Sequence, residues 1–122
     1  MTIFVFGSNL AGIHGAGAAK EAFKDWGAIW GQPSGPMGRA YAIPTKDEKL
    51  RPLPLHSIKV HADLFVLYAT TMPKVHFLLT EVGCGLAGYR VDQIAPMFKD
   101  APDNVVMTGN FYDAILPYRG AQ

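Results

Sequence analysis

Apolar residues along this chain come in two rhythms. Ile3 to Phe6 is an unbroken apolar run of β-branched and aromatic side chains, cut off by Gly7-Ser8-Asn9. Continuous rather than alternating hydrophobicity predicts a strand buried on both faces, as in the middle of a parallel sheet. Ala40 to Pro44, Val75 to Thr80 and Val105 to Thr108 read as further strands. Between them the spacing becomes helical. Ala19, Ala22, Phe23 and Trp26 fall at i, i+3, i+4 and i+7, with Lys20, Glu21, Lys24 and Asp25 opposite and Gly27 placed to end the helix. Ile58, Ala62, Phe65 and Ala69 mark a second helix from about Leu55 to Thr71, with Pro54 suited to its first turn and Pro73 beyond its end. Val91, Ile94, Ala95 and Phe98 form a third stripe, which Pro96 forces to start near Asp92 or to kink. Residues 31 to 38 hold three Gly, two Pro and a Ser and read as loop. No element is assigned from Asn110 onward.

Strands alternating with helices predict an α/β fold with a mostly parallel sheet and flanking helices. The length of 122 residues fits one domain, spanning 1–122, able to bury a sizeable core. Composition then narrows the function classes. Hydrophobic residues make up 49%, which excludes a disordered chain, and charged residues 17%, with a net charge of +1. So balanced a charge gives no field for nucleic acid or an anionic membrane, and no local basic patch replaces it. The single cysteine, Cys84, forms no internal disulfide and has no Cys or His neighbour at metal-ligand spacing, so no metal and no cofactor are expected. The start of the chain lacks a basic n-region and meets Gly7 too soon for a signal peptide, and no apolar run approaches bilayer length. A soluble, cytoplasmic protein is the expectation.

The 13 glycines are unevenly placed: four lie from Gly7 to Gly17, four from Gly27 to Gly38 and three from Gly83 to Gly88. The first and third groups each follow a strand and precede a helix. In a parallel sheet such loops sit at the carboxyl ends of the strands, where open α/β sheets bind ligands. Gly7, Ser8, Gly12, Gly15, Ala16, Gly17 and Ala18 form the first candidate cradle. There backbone N–H groups and the positive end of a helix dipole suit a phosphate. It lacks the Gly-Lys-Ser/Thr of a Walker loop and does not match GxGxxG. Gly83, Cys84, Gly85, Leu86, Ala87, Gly88 and Tyr89 form the second, Tyr89 offering a ring or hydroxyl to a ribose or base, or else packing under the loop. The alternative for both loops is a tight turn with no ligand.

Few side chains have catalytic potential. Asn9 can bond a ribose hydroxyl, orient a water or simply open an Asx turn. His14 is a candidate acid or base, or a hydrogen-bonding loop residue. Asp47 sits beside Lys46 at the end of the second strand, as a possible charge pair on the same rim. Cys84 reads as a small buried filler with no His or Asp spaced to activate it.

Phe6 to Leu10, Tyr41 to Asp47, Gly83 to Tyr89 and Ile94 to Phe98 together resemble the small macro-domain-like proteins of bacteria and phages that carry Phe-Gly-Ser-Asn-Leu, Tyr-Ala-Ile-Pro-Thr-Lys-Asp and Gly-Cys-Gly-Leu-Ala-Gly-Tyr segments. The resemblance implies a single three-layer macro-domain-like domain. It also implies an ADP-ribose-like or other NAD-derived small-molecule nucleotide as partner, its diphosphate and distal ribose between the loops. By the same resemblance Asn9 matches the strand-end Asn of macro domains, Gly12 to Gly17 their first loop and Gly83 to Tyr89 their second. The segment whose acidic residue holds adenine in macro domains has no counterpart here, so nothing is implied for adenine. Two rivals stand beside binding: an ADP-ribosyl hydrolase or ADP-ribose phosphatase in which Asn9, His14 or Asp47 places water, and a non-catalytic protein-interaction domain whose loops only make turns. The oligomeric state is left open.

Overall fold

A computed structural model describes residues 1–119. Its strands are β1 (Thr2–Asn9), β2 (Gly35–Met37), β3 (Ala40–Lys46), β4 (His76–Leu79) and β5 (Val105–Met107). Its helices are α1 (Gly17–Asp25), α2 (Leu55–Thr70), α3 (Val91–Ile94), which runs into a 3-10 turn over Ala95–Phe98, and α4 (Gly109–Arg119). The strands form one sheet in the order β2-β3-β1-β4-β5, parallel except for β2 against β3. The α/β fold with a mostly parallel sheet therefore stands as expected from the two rhythms.

Side chains along β1 alternate between two cores, which is why Ile3 to Phe6 shows no polar positions. Ile3 and Val5 join Tyr41, Ile43, Phe77 and Leu79 beneath α2, the 3-10 turn and α4. Phe4 and Phe6 join Ala40 and Ala42 beneath Ala19 and Ala22 of α1. Ile58, Ala62, Phe65 and Ala69 of α2 are all fully buried, as their spacing requires. Phe23 departs from its stripe: it is 44% exposed and meets the ring of Trp30 edge-on. Trp26 instead stacks on Phe4 at 5.2 Å, with the Arg39 guanidinium 5.3 Å from its ring centre.

Two elements lie where none was assigned. β2 falls inside the glycine- and proline-rich segment, pairing Gly35 with Ala42 and Met37 with Ala40. As an edge strand it tolerates Pro36, whose missing N–H breaks no ladder. That segment is also where backbones touch most closely. A Cβ on Gly38 would lie 2.7 Å from the Gly27 carbonyl oxygen, so the spacing of these glycines records a packing contact. α4 starts where Thr108 accepts the Phe111 N–H through Oγ1 at 3.2 Å, and buries Phe111 and Ile115 one helical turn apart. At Pro96 the third stripe passes from α-helix to 3-10 geometry, keeping Ile94, Ala95 and Phe98 buried.

The connections decide where a ligand can enter. From β1 the chain moves toward β3 with α1 on one face; from β3 it crosses back to β4 and on to β5 with α2 and α3 on the other. The loops leaving β1 and β4, which are neighbours, therefore depart to opposite faces and part to form a crevice at their carboxyl ends. No described helix is long and apolar enough to cross a membrane.

Candidate functional site

A cleft of about 520 Å³ opens at that crevice. The first glycine loop walls one side. β1 slips register against β3 between Ser8 and Asn9, leaving Asn9 opposite Lys46. The Asn9 amide closes on the backbone of Ile13: Nδ2 donates to its carbonyl at 2.8 Å and Oδ1 accepts its N–H at 3.0 Å. Asn9 borders the cleft, and its amide holds the loop through both Nδ2 and Oδ1, each with one further hydrogen-bonding position. Gly12 has a φ of +71°, and a Cβ there would stand 2.5 Å from the carbonyl carbon of Gly31. The two backbones also bond, Gly31 N–H to Gly12 carbonyl at 2.8 Å.

His14 is turned away from the cleft. Its ring is 1% exposed, edge-on to Phe6 and Trp30, with Nε2 2.9 Å from the Ile29 carbonyl. A carbonyl only accepts, so Nε2 carries the proton; Nδ1 has no partner among the described residues. The ring braces the loop from behind. Gly15, Ala16, Gly17 and Ala18 then border the cleft as α1 begins. Ala16 supplies no side-chain cap and the first turn holds no acidic residue, so the positive end of α1 meets the cleft uncompensated.

The second loop walls the other side and is held by its own backbone. Cys84 N–H donates to Glu81 at 3.1 Å, Gly88 to Gly85 at 3.0 Å and Tyr89 to Gly83 at 2.9 Å. Gly83, Gly85, Leu86 and Ala87 border the cleft; Gly12, Cys84, Gly88 and Tyr89 do not. The Tyr89 hydroxyl is directed elsewhere, donating to the Leu53 carbonyl at 2.5 Å. Burial, and then the charge of Glu81, push the Cys84 thiol up to about 11, which suits a filler and not a nucleophile.

The end of β3 forms the third rim. Lys46 borders the cleft; Asp47 does not, and the two make no ion pair. Asp47 instead accepts the Lys49 N–H at 2.8 Å, the Arg51 N–H at 3.0 Å and Arg51 Nε at 3.2 Å. The backbone N–H of Arg51 first, then that of Lys49 and the guanidinium, hold its carboxyl below the usual range. Asp47 thus closes a surface turn that raises Leu50, at a φ of +62°, beside the cleft. Asn9, His14 and Asp47 consequently point to three different structural tasks and do not converge on one point.

Of the polar side chains that do converge, Ser8 and Lys46 were singled out from the sequence, and Thr45, Thr80 and Glu81 were not. Lys46 and Glu81 are the charged residues bordering the cleft, Lys46 next to the first loop and Glu81 at the end of β4. Ser8, Thr45 and Thr80 add hydroxyls, each donating to a backbone carbonyl. Ile13, Leu50 and Leu86 are exposed apolar residues on the rim. Thr80 and Glu81 precede their glycines as Ser8 and Asn9 precede theirs, and the strand-end rule applied to β4 as to β1 would have found them. No described cluster of three or more His, Cys, Asp or Glu could hold a metal ion. Polar groups at fixed positions, one cation and a helix end suit binding; no activated nucleophile stands among them. No family model matches this chain, and neither a curated protein nor a solved structure matches it.

Proposed function

We propose that this chain is a macro-domain-like binding protein for an ADP-ribose-like or other NAD-derived nucleotide, held with its diphosphate between the two glycine loops. One observation carries the reading: both loops, the uncapped end of α1 and Lys46 border a single open cleft. A volume of about 520 Å³ suits a nucleotide, since small-molecule sites run from about 300 to 1,000 Å³. The rim leucines and Ile13 offer apolar contact to a base or sugar face. Turnover draws no support from Asn9, His14 or Asp47, each committed to holding the backbone.

Titration calorimetry with ADP-ribose, cyclic NAD-derived nucleotides and inorganic pyrophosphate tests the reading. Saturable binding is expected, and Lys46→Ala weakens it roughly tenfold, the lower range for losing a charged hydrogen bond. Absence of binding to the whole set overturns it.

A further inference from the structure

Glu81 is out of place in a phosphate cleft. It borders the opening, no lysine or arginine pairs with it among the described residues, and a carboxylate there repels the phosphates that Lys46 and α1 attract. Yet the fold organises it. Thr108 donates through Oγ1 to Glu81 Oε2 at 2.6 Å, and Asn110 Nδ2 donates to the same oxygen at 3.2 Å. Both donors stand at the start of α4. The second oxygen, Oε1, makes no hydrogen bond among the described residues.

Resting on the binding reading above, we infer that Glu81 is a sugar-reading residue: Oε1 accepts hydrogen bonds from a ribose hydroxyl pair, and the ligand lies with phosphates toward Lys46 and sugar toward β4. The charge layout dictates that direction. An ionised carboxylate is an acceptor only, so it rewards O–H donors and excludes phosphate from its end of the cleft. Two bonds on Oε2 fix the group before the ligand arrives, which removes part of the ordering cost of binding. A ribose that lacks one of these hydroxyls leaves Oε1 one hydrogen bond short.

The test compares ligands on the intact protein and then repeats the comparison on Glu81→Gln. Wild type is titrated with ADP-ribose, with two analogues each lacking the 2-hydroxyl of one ribose, and with inorganic pyrophosphate. One analogue is expected to bind about tenfold more weakly than ADP-ribose, as for loss of a hydrogen bond to a charged group. Glu81→Gln should weaken ADP-ribose by a similar factor, erase the difference between it and that analogue, and leave pyrophosphate unchanged or tighter. If both analogues match ADP-ribose on the wild type, or if Glu81→Gln keeps the discrimination, the assignment of Glu81 is overturned while nucleotide binding stands. If wild type binds neither ADP-ribose nor pyrophosphate, the binding reading falls and this inference falls with it. The wild-type comparison needs no variant to fold.

Discussion

The two glycine loops have similar compositions and different constructions. The first closes on itself through Asn9 and Ile13 and is braced from outside as well, where Gly12 abuts Gly31 and His14 reaches the Ile29 carbonyl. The second is braced from within, by three backbone bonds among residues 81 to 89, with Tyr89 as its long-range tie to Leu53. Glycine therefore does different work in each. At Gly12 it makes room for another backbone; at Gly85 nothing lies within 4 Å of where a Cβ would stand. A glycine that neither packing nor a left-handed backbone demands is one that a ligand can demand.

The largest effect separates those two kinds. Gly12→Ala drives a methyl into the Gly31 backbone at a left-handed φ, and should destabilise by about 3 kcal/mol, the sum of overpacking and backbone strain. Gly85→Ala should stay within about 0.5 kcal/mol of wild type, as surface substitutions do. Urea unfolding of both variants measures the contrast. Equal losses would break the distinction between a packed loop and an open one. If the ligand lies against the second loop, Gly85→Ala weakens binding with stability unchanged.

These contrasts bear on what can be read from sequence. The strand and helix runs were legible because burial on one or both faces leaves a period, as in β1 and α2. The cleft was legible in outline, since glycine loops after neighbouring strands must share a crevice. The tasks of Asn9, His14 and Asp47 were legible only as alternatives to chemistry. Asn9 and Asp47 bond backbone groups two to four positions on, in local turns of the kind read for Asn9 as one option, whereas the partner of His14, Ile29, is 15 positions away and set by the fold. Their residue types suggested chemistry because a side chain that holds a loop and one that holds a ligand are drawn from the same short set. Glu81 was passed over for the converse reason: its orienting partners, Thr108 and Asn110, lie in a helix that begins with a cap but whose apolar stripe is only two residues deep. β2 was hidden because an edge strand needs little hydrophobic pattern.

Asn9 tests the bracing of the first loop more gently than Gly12. Asn9→Ala removes both bonds to Ile13 and leaves an N–H and a carbonyl to find water in a partly closed loop. A loss of about 2 kcal/mol is expected for two hydrogen bonds at that depth. Amide hydrogen exchange should rise at Ile13 and spare residues 83 to 89. Faster exchange in both loops would mean that they move as one body, against the construction described here.

In the second loop, Tyr89→Phe deletes the hydroxyl bond to Leu53 while keeping the ring, so the loss should be about 1 kcal/mol. The Leu53 carbonyl retains a second lone pair and loses one partner. Because the remaining bonds are internal to the loop, binding of pyrophosphate should survive this change. A loop that lost both stability and binding with one hydroxyl would be braced from outside after all.

The smallest effect is on reactivity and leaves stability untouched. Cys84 sits inside the self-bonded loop, its Sγ 3.7 Å from the Val82 carbonyl, with its thiol pushed up to about 11 from an ordinary value of 9.0 by burial and by Glu81. Below that value the thiolate fraction grows tenfold for each unit of pH, and two units of elevation hold it about a hundredfold below that of an ordinary thiol. Iodoacetamide at pH 8 should therefore alkylate Cys84 about a hundredfold more slowly than free cysteine, and the rate should keep climbing to near pH 11. Glu81→Gln, by removing the repelling charge, should speed the reaction while burial keeps it below the free-thiol rate. Alkylation at the free-thiol rate would show that the second loop opens in solution, and an internally bonded loop that opens so readily would not be a fixed wall for the cleft.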